Sequence, residues 1–299
     1  MKSGGKVFFM LLAVQLLASC AVLSPERRPG YFAGSIESVI PDGYSPRGSL
    51  TEVRYNTSVP GPSSRRMMVY LPEEYDSCSK RYPVVYLLHG ARGYETSWIV
   101  KGNILQITDS LVSEGTAEPF ILVMPNMNQY RNDSDMKDSR RKNALESLFE
   151  IDGTVESAFM DDVVNTVDSL FRTIPDKSHR AIGGLSIGGL QSLYISANNP
   201  NSFDYIGLFS PLSRIIRKPG GYTHFYKSAK SKLETQFADA PELYLVMIGR
   251  KDIFLQHIRK FHRYLERHGY AHSFIVTPGG HDWPYWKQDC IHFLTGTFR

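Results

Sequence analysis

The chain has 299 residues, enough for one large α/β domain or two ordinary ones. Apolar residues make up 42% and charged residues 21%, which excludes disordered and fibrous classes. The formal charge of +4, from 34 basic and 30 acidic residues, gives no broad electrostatic footprint for nucleic acid, and three Cys are too few for a disulfide scaffold.

The chain opens with MKSGGKVFFMLLAVQLLASC. Lys2 and Lys6 form a positive start, and Val7 to Ala18 is an apolar run broken only by Gln15. As a helix such a run rises roughly 18 Å, too short for about 30 Å of hydrocarbon, so it reads as a signal segment and not a span. It ends in Leu17-Ala18-Ser19-Cys20, which resembles the lipobox of bacterial lipoproteins. That resemblance implies a signal peptide over residues 1–19, lipidation of Cys20, export, and a membrane anchor without a transmembrane helix. The alternative is an ordinary secretory leader with an incidental Cys. Residues 20–49 then form a tether and N-terminal extension, and 50–299 the folded domain. Whether Cys78 and Cys290 pair is left open by the sequence.

From about residue 50 strand and helix signals alternate. Residues 51–58 and 65–72, separated by VPGPSS, predict an antiparallel hairpin. The apolar runs 83–89 and 119–125 predict strands buried on both faces, with a helix from Asn103 to Glu114 between them. Val155, Phe159, Val163, Val167 and Leu170 recur at helical spacing over 155–172. A strand over 179–185, a helix over 188–199, and strands over 203–210, 242–249 and 272–278 follow. An amphipathic helix over 253–268 is stopped by Gly269, and a last helix covers 285–297. Repeated βα units predict a mostly parallel eight-stranded sheet with helices on both faces, an α/β architecture. In such a sheet the loops at the carboxyl ends of the strands carry chemistry.

The sharpest motif is Gly184-Leu185-Ser186-Ile187-Gly188, a G-x-S-x-G between a strand and a helix. That context lifts a serine onto a strained turn above a helix N-terminus, where developing negative charge is favoured. A serine hydroxyl needs a positioned base. Among nine His, His281 follows the final strand in a loop at its carboxyl end. His257, His262 and His268 read as a solvated helix face, and His89 as a structural residue at a bend. The acid should follow the penultimate strand, which selects Asp252, whose role is to orient the imidazole and stabilise its cation. Asp282 is the rival, but a side chain adjacent to the base seldom makes that bond. Two backbone N–H donors are needed for an oxyanion: Ile187, and Ala91 or Arg92 after the strand 83–89. Trp283, Tyr285 and Trp286 flank the base and either line a sugar- or aryl-binding surface or pack the last helix. Trp283, Trp286 and Arg92 are the candidates for substrate contact. Arg140-Arg141-Lys142, in the polar stretch 126–150, reads as a solvated loop or a rim of the cleft. No metal-ligand or nucleotide-loop motif competes, and no cofactor is expected.

Six segments occur in order: YLLHG at 86–90, FILVMPN at 120–126, RAIGGLSIGG at 180–189, 203–210, 248–252, and GGHDWPYW at 279–286. Over residues 50–297 the chain resembles the esterase D-like α/β-hydrolase family. That family includes feruloyl and acetyl xylan esterases (carbohydrate esterase family one), S-formylglutathione hydrolases, trilactone siderophore esterases and mycolyltransferases. The resemblance implies an α/β-hydrolase fold and a Ser186–Asp252–His281 triad with donors at Ala91 and Ile187. It implies a serine esterase acting on feruloyl or acetyl groups of plant polysaccharide such as xylan. Alternatives are a siderophore trilactone esterase and, as a non-enzyme, an inactive carbohydrate-binding lipoprotein. Two features depart from the family: Ile187 stands where Met is frequent, and residues 126–150 match no family pattern.

Overall fold

A computed structural model of the chain describes residues 36–128, 151–212 and 228–299. The leader with Cys20 and the basic run 140–142 lie outside the described residues. Among those described, no helix is long and apolar enough to cross a membrane.

Eight strands form one sheet: β1 (Ser49–Asn56), β2 (Ser64–Leu71), β3 (Val84–Leu88), β4 (Ile121–Pro125), β5 (Arg180–Leu185), β6 (Tyr205–Phe209), β7 (Leu243–Gly249) and β8 (Ser273–Thr277). Their order is β1-β2-β4-β3-β5-β6-β7-β8. β2 pairs antiparallel with both β1 and β4, and every other pairing is parallel. The hairpin, the parallel sheet and the eight strands agree with the sequence reading. The α/β-hydrolase fold is therefore the architecture of this chain.

Alternation along the strands sends side chains into two cores. Met67, Val69 and Leu71 face one, and Met68 and Tyr70 the other. The second core is closed by α1 (Ser97–Val100), α2 (Ile104–Ser113) and the C-terminal helix, Trp283–Leu294. The first is closed by α3 (Thr154–Ser157), a π-helix (Phe159–Val164), α4 (Asn165–Leu170), α5 (Ile187–Asn198), α6 (Ala229–Ala238) and α7 (Leu255–Arg267). The C-terminal helix is α8. It begins at Trp283, two residues before the expected start at 285.

The π turn has a sequence signature. Val155, Phe159, Val163 and Val167 are spaced by four residues, wider than the 3.6 of an α-helix. An under-wound segment keeps all four in the core, whereas Leu170 falls on the exposed side at 58%. Residues before 50 also belong to the packed unit. Val39 is buried, and the hydroxyls of Tyr44 and Tyr70 both donate to the Asp109 carboxylate on α2. Cys78 and Cys290 are free thiols on opposite faces of the sheet, so the bridge left open by the sequence does not form here.

The order reverses at β3: β4 lies on one side of it and β5 on the other. The carboxyl ends of β3 and β5 therefore flank the crevice where open α/β sheets bind ligands.

Candidate active site

Ser186 sits at that crevice, between β5 and α5, with φ 55° and ψ −112°. A non-glycine residue reaches such angles only when its surroundings impose them. The imposition is close packing. A Cβ on Gly184 would lie 2.6 Å from the Gly188 carbonyl carbon, and one on Gly188 would lie 2.5 Å from the His89 oxygen. Only hydrogen at both positions lets the strand, the helix and the end of β3 meet. Ser186 N–H donates to Phe209 O at 2.8 Å, and Ser186 O accepts from Leu212 N–H at 2.9 Å, which pins the turn to β6. The residue is 9% exposed.

The sequence places its proposed partners 66 and 95 positions away, and the fold brings both to the hydroxyl. His281 Nε2 lies 3.0 Å from Ser186 Oγ, and His281 Nδ1 lies 2.8 Å from Asp252 Oδ2. The Asp252 side chain is fully buried, and its second oxygen accepts the Phe254 N–H at 2.8 Å. A carboxylate on Nδ1 holds the proton there and leaves Nε2 free to accept from the serine. The loops that carry acid and base are sewn together: Arg250 N–H donates to Thr277 O and Lys251 N–H to Gly279 O, each at 2.7 Å. Asp282, the rival acid, makes no hydrogen bond to the imidazole.

The imidazole is also held by rings. Trp286 meets it edge-on at 4.9 Å between centroids, and Phe254 does so at 5.3 Å. Trp286 is 7% exposed and packs on Trp283, which in turn meets Trp98 at 5.2 Å. Trp286 thus packs beneath the base, while Trp283 is half-buried beside it.

Ala91 and Ile187 line one cleft together with Arg92, Met127, Val155 and Gln191. Neither the Ala91 nor the Ile187 N–H finds an acceptor among the described residues. Arg92 has φ 58°, part of the tight turn that follows β3. The turn rests on His89, which is buried; its Nδ1–H donates to Gly90 O at 2.8 Å and its Nε2 accepts the Met127 N–H at 3.0 Å. Burial lowers the His89 pKa to about 4, so the ring is neutral and structural. His268, directly after α7, is exposed, but His262 on the helix is not simply solvated: it stacks on Phe274 and lies 2.8 Å from His272.

Sequence reasoning missed two buried groups near this site. Arg66, on β2, pairs with Glu95 and Glu52, and Glu95 also accepts from Asn126 Nδ2 at 2.8 Å. Asp289, on α8, is 1% exposed, and neither of its oxygens has a partner among the described residues. Both charges sit inside runs that read as ordinary strand or helix, with no local pattern to mark them.

The esterase family model, described as "Putative esterase", matches residues 60–295. The chain belongs to this esterase family. Its similarity to the endo-1,4-beta-xylanase/feruloyl esterase of Xylanibacter ruminicola is 39% identity over 147 residues, which is 48% of this chain and 19% of that protein. The chain thus spans about a fifth of the length of that relative. Its similarity to the acetyl esterase of Caldicellulosiruptor saccharolyticus is 24% identity, covering 71% of this chain and 82% of that one. Among solved structures, a ferulic acid esterase superposes with a TM-score of 0.68 at 25% identity, covering 84% of this chain and 97% of the other. The ferulic acid esterase of Anaeromyces mucronatus in complex with ferulic acid shares the fold, with a TM-score of 0.69 at 22% identity over 86% and 93% of the two chains.

Proposed function

We propose that this esterase is a serine hydrolase that removes feruloyl or acetyl groups from plant polysaccharide. The observation that carries the mechanism is the unbroken hydrogen-bonded chain Asp252–His281–Ser186 on a strained turn. The polysaccharide assignment draws on relatives whose names include feruloyl esterase and xylanase.

In this reading Ser186 Oγ attacks the ester carbonyl carbon as His281 Nε2 takes its proton. The carbonyl oxygen becomes an oxyanion, held by the N–H groups of Ala91 and Ile187. Each such donor is typically worth ~3 kcal/mol in the transition state. The tetrahedral centre collapses, the bond to the leaving oxygen breaks, and His281 returns the proton to the departing alcohol. Water then repeats the sequence: it gives a proton to His281, attacks the acyl-serine, and releases the acid with Ser186 restored. Asp252 stabilises the imidazolium in both halves.

The leader reading joins this proposal. A lipid on Cys20 would keep the esterase at the membrane of the exporting cell. Incorporation of a labelled fatty acid into the wild-type chain, and its loss in Cys20→Ala, tests that part.

A panel of methyl ferulate, acetylated xylan and a cyclic trilactone tests the substrate class. Preferred turnover of ferulate or acetylated xylan supports it. Dominant trilactone turnover would replace the polysaccharide assignment and leave the serine mechanism in place.

A further inference from the structure

Arg92 holds φ 58° in the turn after β3, directly beyond the Ala91 donor. A non-glycine residue stays in that region only when its surroundings hold it there. Part of the hold is internal to the turn: Gly93 N–H donates to Gly90 O at 3.0 Å. The rest comes from the segment after β4. Asn128 Nδ2 donates to Gly93 O at 2.9 Å and to Asn126 Oδ1 at 2.9 Å. The Asn128 backbone N–H reaches the same Asn126 oxygen at 3.0 Å. Asn126 Nδ2 donates in turn to Glu95 Oε2 at 2.8 Å, and Glu95 Oε1 accepts from Arg66.

These bonds run in one direction. A guanidinium only donates and a carboxylate only accepts, so Arg66 and Glu95 decide which end of the Asn126 amide is nitrogen. Asn126 Oδ1 is thereby turned toward Asn128, and it leaves the Gly93 carbonyl to Asn128 Nδ2. Arg66, Glu95 and Asn126 are buried, so the chain is strengthened by a low dielectric and sheltered from competing water. Of these four side chains only Asn128 lines the cleft. A buried ion pair thus dictates how an amide at the cleft edge grips the turn that carries Ala91.

We propose that Asn128 is a positioning residue for the Ala91 oxyanion donor, and that Glu95, anchored by Arg66, sets its orientation through Asn126. The proposal rests on the serine-esterase reading above and deepens it. With Gly93 O gripped, the Ala91 N–H keeps its aim at the oxyanion. With Gly93 O released, that donor drifts while Ser186, His281 and Asp252 stay in register. The loss then falls on the tetrahedral state and spares binding of the ester.

The test uses the full chain, para-nitrophenyl acetate as substrate, and phenylboronic acid, which forms a tetrahedral adduct on a catalytic serine. Two variants of nearly unchanged shape carry it. In Asn128→Asp an oxygen meets the Gly93 carbonyl and the bond is lost. In Glu95→Gln, Arg66 retains the amide oxygen, so the new nitrogen faces Asn126 Nδ2, donor against donor, and the mismatch passes along to Gly93. Each variant should lower kcat by about tenfold or more, with KM changed by less than about threefold. Boronate affinity should fall along with kcat, because one misaimed donor serves both. A kcat close to wild type in either variant, a loss carried by KM alone, or an unchanged boronate affinity would overturn the proposal. In the wild type, NMR should show the Asn128 side-chain amide protons protected from solvent exchange. Free exchange would overturn the proposal without any variant, so poor folding of a substitution does not shield it. Hydrolysis abolished in Ser186→Ala, with kcat intact in the two variants, would remove this inference and leave the serine reading standing. Hydrolysis that persists in Ser186→Ala would remove both.

Discussion

The Met127 N–H donates to His89 Nε2 at 3.0 Å, tying the segment after β4 to the turn after β3. Ala91 lies two residues beyond that ring, so the bond governs where one of the proposed oxyanion donors stands. His89→Leu would leave the Met127 N–H buried without a partner, while the Gly90 carbonyl keeps the Gly93 N–H at 3.0 Å. We expect a loss of ~1–3 kcal/mol in urea denaturation at pH 7, from that one group. The pH dependence has a definite sign. The folded pKa of about 4 lies below the ordinary 6.5, so the unfolded chain binds the proton first. The stability contributed by neutral His89 is full above about pH 6.5 and falls by about 3 kcal/mol on the way to pH 4. His89→Leu should remove that component of the slope.

Glu95 is the hub of a buried charge network that touches Arg66 and Asn126. Truncating one partner of a buried ion pair strands the other charge. Glu95→Ala should therefore cost about 3–5 kcal/mol, read as a fall in denaturation midpoint. Glu95→Gln, which keeps the shape and can still accept from Arg66, should cost clearly less.

Much of this architecture is legible in the sequence, for physical reasons that also define its limits. Ser186 could be found because a strand, a sharp turn and a helix impose glycine on both sides of it. Asp252 and His281 followed from chain order and strand ends. Other features leave no such trace. α6 buries only Leu233 and Gln236, too little apolar periodicity to announce a helix. α1 is a single turn whose burial comes from the cores around it. Arg66 looks like surface charge, yet alternation along β2 points it inward, where only the distant Glu52 and Glu95 reveal why it is tolerated. Trp286 was equally readable as a substrate platform or as packing, and the structure puts it beneath the imidazole.

That packing carries its own prediction. Removing the ring in Trp286→Ala opens a cavity and should cost about 3–5 kcal/mol. More tellingly, it frees the His281 imidazole to leave the serine. We expect kcat to fall by roughly tenfold or more with a smaller change in KM, since misplacing a catalytic group weakens the transition state selectively. Trp286→Phe, which keeps an aromatic edge, should recover most of the rate.

Asp289 points the opposite way in pH. Burial, and secondarily the charge of Asp252, raises its pKa to about 7. The folded chain thus holds this proton after the unfolded chain has lost it. Its contribution is full below about pH 4 and is lost as pH rises through about 7, a change of about 4 kcal/mol. Asp289→Asn should remove this loss, so its stability relative to wild type rises between pH 5 and pH 8. Thermal denaturation at both pH values checks the sign.

The proposed chemistry depends most on Ser186 Oγ being the atom that takes the acyl group. Treatment with a fluorophosphonate, followed by peptide mass spectrometry, reads this directly. The result expected is a single adduct on the peptide containing Ser186, absent from Ser186→Ala and strongly slowed in His281→Ala. An adduct on another residue, or ester hydrolysis at the wild-type rate in Ser186→Ala, would contradict it.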